Sequence, residues 1–240
     1  MKRVISLSFV CVLALNLFSL ELIPIKQMGE PYNAYGGLRL DSFVVKDEVD
    51  ASESYKYVYQ YSSDGRIIVQ SYYKGYNSYT KRWIGSSKEE YTYYPGGSTI
   101  FRNYTWDTTA DDWTLNRQVN DNYDSNGYNT STIYFDWDNS TNSLIFSSKK
   151  EYTYSSGTQP TIIISSTWNN SKWVNTEKIE YQYDENENII SVITSNYSNS
   201  AWVNKSKILQ AFDNLNRMTS REIFQWNTTS KAWRSEERRV

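Results

Sequence analysis

Bulky residues, nearly all of them aromatic, recur along this chain in pairs separated by ten residues. The pairs are Trp83 and Tyr93, Trp113 and Tyr123, Leu144 and Tyr154, Trp173 and Tyr183, and Trp202 and Phe212. Side chains of a β-strand alternate between two faces, so an even interval is expected to place both members of a pair on one face. In an α-helix, ten residues would leave the two members about 80° apart, without one apolar stripe. The interval therefore predicts long strands.

The same residues mark a longer repeat. Positions 83, 113, 144, 173, 202 and 233 are separated by 30, 31, 29, 29 and 31 residues. Turn sequences rich in Gly, Asn, Asp and Ser divide each repeat into two strands. A period of this size indicates a repeat architecture in which neighbouring strands pair. We predict an all-β fold, an antiparallel meander of about six two-strand repeats of about 30 residues, with eleven or twelve strands forming an elongated, twisted or curled sheet.

A second aromatic ends each return strand and faces the next repeat across a short loop. Most of these loops have four or six residues, and this even difference keeps both residues on one side of the ladder. Each couple is therefore predicted to be a cross-strand contact worth about 0.5–1 kcal/mol beyond burial. The couples are Trp106 with Trp113, Trp137 with Leu144, Trp168 with Trp173, Tyr197 with Trp202, Trp226 with Trp233 and, across a longer loop, Tyr73 with Trp83.

Composition excludes several chemistries. The chain has no histidine and one cysteine, Cys11, so it lacks the residues for a Ser-His-Asp triad, a Cys-His pair, an ordinary zinc site or an internal disulfide. The formal charge is −2, which provides no positive field for nucleic acid. We predict no metal, no cofactor and no nucleic-acid partner.

The chain is predicted to have three parts. Residues 1–20 have the basic start and short apolar run of a signal peptide, which implies a secreted or cell-surface protein with no membrane span after removal. Residues 21–54 form a leader without repeats, with one short strand at Leu38 to Val45. Residues 55–240 form the repeat sheet. The tyrosine pair expected after Trp233 would fall beyond Val240, so we expect that further repeats are missing.

One recurring pattern resembles a known family. Tyr59–Ile67 reads Tyr-Gln-Tyr-Ser-Ser-Asp-Gly-Arg-Ile, and Tyr181–Asp184 reads Tyr-Gln-Tyr-Asp. Both resemble the tyrosine-aspartate (YD) repeats of Rhs-like secreted bacterial proteins of unassigned function, some of which carry type IX secretion sorting domains. The repeat here is longer than the usual YD repeat. The resemblance implies a long sheet that curls or spirals, and it implies no particular activity.

Carboxylates are the side chains of this sequence that could act as general acids and bases in catalysis. A glycoside hydrolase would need two of them about 5–10 Å apart, and the candidate clusters are Asp111-Asp112, Asp136-Trp137-Asp138 and Asp184-Glu185. Asp is also preferred in turns, where all three clusters lie, and we favour that explanation. Asn122–Gly127 resembles the start of a calcium loop, but the twelfth position is Ile133 rather than Glu.

The tryptophans are the remaining functional candidates. Aromatic rings stack on sugars, but they could also be the sheet's own core, and both roles could coexist in a single layer. We therefore predict a non-enzymatic secreted or cell-surface protein with a structural or interaction role, whose partner is an extracellular polysaccharide or another surface protein. The first alternative is a carbohydrate-binding module, and the second is a carboxylate-dependent glycoside hydrolase. The predicted ligand-binding residues are Trp106, Trp137, Trp168, Trp173, Trp202, Trp226 and Trp233.

Overall fold

The structure, a computed structural model, describes residues 5–6, 40–47, 49–155 and 157–236. The predicted signal peptide lies outside these residues except for Ile5–Ser6. The chain divides into two compact units. One consists of Met1–Tyr93 and Ile100–Gln118, and the other consists of Tyr94–Thr99 and Val119–Val240.

The first unit is an antiparallel meander. A 3₁₀ turn, Ala51–Glu53, connects the leader to the repeats. The leader strand begins and ends slightly later than the predicted Leu38 to Val45. The strands are β1 (Ile5–Ser6), β2 (Ser42–Asp47), β3 (Tyr55–Tyr61), β4 (Ile67–Asn77), β5 (Arg82–Tyr93), β6 (Thr99–Asp107) and the first part of β7 (Asp112–Tyr123).

The second unit continues the same pattern of antiparallel neighbours. It contains the end of β7, then β8 (Asn129–Asp138), β9 (Ser143–Thr153), β10 (Ile162–Asn169), β11 (Lys172–Tyr183), β12 (Ile189–Ser198), β13 (Ala201–Phe212), β14 (Met218–Asn227) and β15 (Ala232–Glu236). Most of these strands have eight to twelve residues, as the ten-residue interval predicts.

The predicted fold class is confirmed. The hydrogen-bonded order of the strands, β1 to β15, is their order along the chain. Thirteen strands follow residue 54, where the sequence predicts eleven or twelve. Over the described residues, the structure contains no helix that is both long and apolar enough to span a membrane.

Turns with an Asp at the first position join three of the long strands, β7, β11 and β13, to their return strands. The Asp184 amide donates to the Asn188 carbonyl, and the Glu187 amide donates to the Asp184 carbonyl. The Asp184 carboxylate also accepts from the amides of Asn186 and Asn188, each at 2.9 Å. Glu187 has a φ of 63°, a conformation that Gly127 takes in an equivalent turn. These local demands account for the Asp, Asn and Gly of the turn sequences.

The hairpins at the opposite strand ends use a different turn. Asn170 and Ser171 both have positive φ, at 48° and 61°, and Asn199 and Ser200 repeat these values. Two consecutive residues with positive φ form the type I′ turn, whose twist matches that of paired strands. The turns at Asp107 and Asn227 are longer, and each of these side chains accepts hydrogen bonds from backbone amides within its turn.

A β-bulge interrupts four of the long strands three residues after the hairpin residue, which is Trp83, Leu144, Trp173 or Trp202. In β11, Ser166 pairs with Asn175 and Ser165 pairs with Glu177, so one residue of β11 is extra. An extra residue of this kind disturbs the alternation of side chains. The extra residues are Ser86 in β5, Ser147 in β9, Thr176 in β11 and Lys205 in β13.

The bulge shows that the same-face prediction is wrong. Trp173 pairs with Trp168, and the regular strand β10 keeps Trp168 and Ile164 on one face. Ile164 pairs with Lys178, so Lys178 shares the face of Trp173. Tyr183 lies five residues further along β11 and is therefore on the opposite face. The interval predicted strands correctly, but the extra residue reverses the alternation within them.

The predicted contact between Tyr73 and Trp83 is also wrong. Trp83 pairs with Tyr76, and their ring centres are 5.2 Å apart. An irregularity in β4 lies between Tyr73 and Tyr76, where Gly75 has a φ of 91°. The Gly75 amide donates to the Ser54 carbonyl at 2.7 Å, which holds the irregular segment against the 3₁₀ turn.

Tyrosines at the ends of the long strands connect consecutive repeats. The Tyr93 hydroxyl donates to the Ile67 carbonyl at 2.9 Å, and the Tyr183 hydroxyl donates to the Pro160 carbonyl at the same distance. Tyr154 makes an equivalent bond to the Asn129 carbonyl at 3.0 Å. The second tyrosine of the repeating motif thus satisfies a backbone acceptor at the start of the preceding return strand or just before it.

Burial follows side-chain size rather than polarity. No apolar side chain in the described ranges is fully buried, because each aromatic ring keeps some contact with solvent. The buried side chains in these ranges are Ser54, Ser71, Gln118, Thr132, Ser166, Ser191 and Ser195. The packing is therefore a layer of ring contacts on the sheet surface.

We expect Gly85→Ala to lower the free energy of unfolding by about 1–3 kcal/mol, because overpacking displaces neighbouring groups. An added Cβ would lie within 3 Å of Trp106 ring atoms. Urea denaturation followed by circular dichroism measures the effect. In a Trp106→Ala background the obstructing ring is absent, so the same substitution should cost much less. An equal loss of unfolding free energy in both backgrounds would contradict the packing of position 85 against the Trp106 ring.

Candidate ligand-binding face

One face of the second unit carries six of the seven predicted ligand-binding tryptophans. The strands between the hairpins are regular over these positions, so their register carries one face from hairpin to hairpin. We call this surface the tryptophan face, defined by Trp137, Trp168, Trp173, Trp202, Trp226 and Trp233.

Ring pairs close the hairpins of this face, as predicted. The ring centres are 5.0 Å apart in each pair, and the rings meet edge to face at 67–70°. This arrangement sets the positive edge of one ring against the negative face of the other. The pairs are Trp168 with Trp173, Tyr197 with Trp202, and Trp226 with Trp233. Trp137 pairs in register with Leu144, also as predicted.

Trp106, the seventh predicted residue, belongs to the first unit. Its ring centre is 5.0 Å from that of Trp113, which in turn is 5.7 Å from Tyr73. The ammonium of Lys88 lies 5.7 Å from the Trp113 ring centre. Trp113 is not among the predicted residues, although its ten-residue separation from Tyr123 marks it in the same way as Trp173 and Trp202.

Polar residues complete a site beside the first of these ring pairs. Lys149, Ser166 and Asn175 are in register on three adjacent strands. The Ser166 hydroxyl donates to Asn175 Oδ1 at 3.0 Å, and Ser166 is only 1% exposed. The ammonium of Lys149 is 5.2 Å from the ring centre of Trp173. We call Lys149, Ser166, Trp168, Trp173 and Asn175 the first aromatic–amide site.

The next repeat contains a second copy. Lys178, Ser195 and Asn204 are in register, and the Ser195 hydroxyl donates to Asn204 Oδ1 at 3.3 Å. Ser195 is again 1% exposed, and the Lys178 ammonium is 5.7 Å from the Trp202 ring centre. These residues, with Tyr197 and Trp202, form the second aromatic–amide site. Because the arrangement recurs in consecutive repeats, it belongs to the repeating unit.

Each site has one unused donor and little net charge. Asn Oδ1 is occupied by serine, whereas Nδ2 of Asn175 and Asn204 makes no hydrogen bond within the described residues. Lys149 Nζ lies 2.8 Å from a carboxylate oxygen of Glu151, and Lys178 Nζ lies at the same distance from Glu180. The sites therefore combine aromatic rings, an amide donor and neutralised lysines, which suits an uncharged ligand with polar edges.

The Ser and Asn of these sites are not among the residues predicted from the sequence. The signal was present as a repeated pattern, with Ser two residues before the first ring and Asn two residues after the second. The bulge is the reason that the two lysines, Lys149 and Lys178, could not be assigned to the sites from the sequence. Lys178 follows Trp173 by five residues, an odd interval that implies opposite faces in a regular strand.

An aromatic cluster borders the first site. Phe146 occupies the position that Asn175 holds in the next repeat, two residues after the hairpin residue. Its ring centre is 4.8 Å from those of Phe135 and Trp168 and 5.4 Å from that of Trp173. Phe146 is 39% exposed, so this cluster is an accessible part of the tryptophan face.

The predicted acidic clusters serve the turns. Asp111 forms an ion pair with Arg82, and the Asp112 carboxylate accepts from the Trp113 amide. Hydrogen bonds from the Asn188 side chain and from the backbone lower the pKa of Asp184. Hydrogen bonds from Ser140 and Thr141 lower the pKa of Asp138. Such bonds favour the ionised carboxylate.

All the clearly shifted carboxyl pKa values in the described part of the chain are lowered. They belong to Asp64, Glu90, Asp107, Asp138, Asp184 and Asp213. The general acid of a glycoside hydrolase needs a raised pKa so that it stays protonated. None of these six groups meets that requirement.

The calcium-like segment Asn122–Gly127 also forms a turn. The Asp124 carboxylate accepts from the amides of Asn126 and Tyr128, each at 2.9 Å. Across the residues that the structure describes, no group of three or more His, Cys, Asp or Glu is placed to hold a metal ion.

Comparisons with known proteins do not assign a family. No protein-family model matches the sequence, and no curated protein matches it. The resemblance to YD repeats therefore stays a prediction.

Among solved structures, a protein of unknown function from Bacteroides fragilis is similar over 68% of this chain and 94% of its own, with 12% identity and a TM-score of 0.36. A DUF3836 family protein from Bacteroides vulgatus matches 38% of this chain and 89% of its own, with 16% identity and a TM-score of 0.31. A candidate 6-phosphogluconolactonase from Bacteroides fragilis covers 80% and 82%, with 5% identity and a TM-score of 0.26. These similarities are too weak to transfer a function.

Trp168→Ala and Trp173→Ala should be non-additive. We expect a coupling free energy of about 0.5–1.5 kcal/mol, because the edge-to-face contact is lost in either single variant. Urea denaturation followed by circular dichroism gives the four values of the cycle. The matched control combines Trp168→Ala with Trp202→Ala, whose rings belong to different hairpins. This control should be additive, and a Trp168–Trp173 coupling no larger than the control would show that the contact is not stabilising.

The carboxylates in the turns should make the stability of the folded protein depend on pH. The pKa values of Asp184 and Asp213 are lowered from 3.8 in the folded protein. Their contribution is therefore complete above the unfolded value and is lost as the pH falls through the lower folded value. We expect the urea midpoint to drop between about pH 5 and about pH 2, and to drop less steeply in an Asp184→Asn, Asp213→Asn variant. Parallel pH profiles would contradict this role.

Proposed function

We propose that this chain is a non-enzymatic, exported repeat protein that acts through its sheet surface in a structural or interaction role. The observation that supports this most directly is the use of its carboxylates. Asp111, Asp138 and Asp184 lie in turns, where they accept backbone hydrogen bonds or pair with a cation. Acidic residues used in this way stabilise a scaffold.

Two contacts that recur between neighbouring hairpins also favour a scaffold. Lys149 lies over Trp173 of the following repeat, and Lys178 lies over Trp202 of the repeat after that. Cation–π contacts and the burial of lysine stems hold neighbouring repeats together. A surface built from nearest-neighbour contacts can present the same groups at regular intervals, which suits an extended partner.

A carbohydrate-binding module is the second candidate function. It is favoured by the aromatic–amide sites, where partly exposed rings of Trp168, Trp173 and Trp202 lie beside an amide donor. The partner would be an extracellular polysaccharide. Under this proposal the protein has no nucleic-acid partner and acts outside the cell.

Incubation with soluble polysaccharides should release no reducing ends above a heat-treated control, because the proposed role includes no bond cleavage. A colorimetric reducing-end assay over a broad panel measures this. Release that disappears in an Asp111→Asn, Asp112→Asn variant would overturn the non-enzymatic proposal. The same variant should leave any binding to the tryptophan face unchanged, since both residues belong to the first unit.

A further inference from the structure

The two aromatic–amide sites repeat at a fixed distance across the strands of the sheet. Asn175 lies on β11 and Asn204 on β13, with β12 between them. Strands are about 4.8 Å apart, so equivalent atoms of the two sites are separated by about 9.6 Å. Register places both sites on the tryptophan face. Such a pair suits a ligand that repeats the same chemical group at the same interval.

Each site offers the two kinds of contact that a pyranose sugar uses. The flat C–H face of a sugar ring packs on an aromatic ring, while hydroxyl groups at its edge accept hydrogen bonds. The partly exposed rings of Trp173 and Trp202 can supply the first contact. Nδ2 of Asn175 and Nδ2 of Asn204 can supply the second, because each amide is oriented by a buried serine and has a donor left over.

The charge of the sites favours a neutral sugar. Lys149 and Lys178 are the cations closest to the rings, and each is paired with a glutamate at 2.8 Å. An acidic polysaccharide would have to compete with Glu151 and Glu180 for these lysines. A neutral chain avoids this competition, because its hydroxyl groups do not require the ammonium groups.

We propose that the two aromatic–amide sites bind alternate sugars of one extended, neutral, cellulose-like polysaccharide. In such a chain every second sugar has the same orientation, and the disaccharide unit is close in length to the spacing of the two sites. This inference rests on the proposed interaction function and specifies its partner. The cluster around Phe146 extends the apolar surface beyond the first site along the same direction.

Isothermal titration calorimetry of the full chain with cellohexaose and cellobiose tests the proposal. Cellohexaose reaches both sites and should bind at least about tenfold more tightly than cellobiose, through the effective concentration of the second contact. Maltohexaose, which coils, and an acidic oligomannuronate should both bind more weakly than cellohexaose. Mannohexaose and xylohexaose serve as additional neutral, extended probes.

Asparagine variants locate the binding. Asn175→Asp and Asn204→Asp keep an oxygen that accepts from serine but remove the amide donor, so folding is preserved while a ligand contact is lost. Each should weaken cellohexaose binding by about tenfold. The matched control is Asn196→Ala, an exposed residue on the opposite face of β12, which should bind as the unaltered protein does.

Three outcomes would overturn the inference. Cellohexaose, mannohexaose and xylohexaose could all fail to bind, the two Asn→Asp variants could bind as well as Asn196→Ala, or the acidic oligosaccharide could bind best. None of these outcomes would contradict the non-enzymatic proposal, which fails only if the protein releases reducing ends. Binding without release would support both.

Discussion

The extra residue in β5, β9, β11 and β13 is the constraint on which the arrangement of this sheet depends. In a regular strand, Lys178 would lie on the face opposite Trp173. The bulge at Thr176 brings it to the same face, where it reaches Trp202 of the next hairpin. The tyrosine at the far end of the strand then occupies the other face. Both surfaces of the sheet therefore carry aromatic rings, but at opposite ends of the strands.

This arrangement replaces a buried apolar core with a layered surface. Ser166 and Ser195 are the most buried side chains in the described ranges. Each is in register with a lysine on one neighbouring strand and an asparagine on the other. Larger side chains at the equivalent positions change the packing, as Phe135 and Phe146 do where their rings meet. Stability is therefore distributed between neighbouring repeats, as in other linear repeat proteins.

The sequence predicts the architecture better than it predicts the faces. Spacing and turn composition are local properties, so the strands, the antiparallel order and the ring pairs such as Trp168 with Trp173 follow from them. The bulges do not follow from spacing and turn composition, because in the sequence a single extra residue is seen only as a break in the alternating pattern. That break is visible in β11, where apolar Val174 and apolar Ile179 are an odd number of residues apart. Gly75 shifts the partner of Trp83 in a similar way.

The candidate site shows the same limit. Six of the predicted tryptophans share a face because their hairpins repeat in register. The amide donors were not predicted, because Asn is common in turns and its role at Asn175 and Asn204 depends on a serine from the neighbouring strand. Contacts across strands become evident only when the register is known.

The repeated bulge also affects how such a gene can change in length. Between Trp173 and Trp202 the chain has one extra residue in β11 and one in β12, and both tryptophans still lie on the tryptophan face. A copy that contains its own extra residues can be duplicated or lost as a whole without changing the phase of its neighbours. A single-residue insertion within a strand would invert that phase. Arrays of this type should therefore evolve by gaining or losing complete copies.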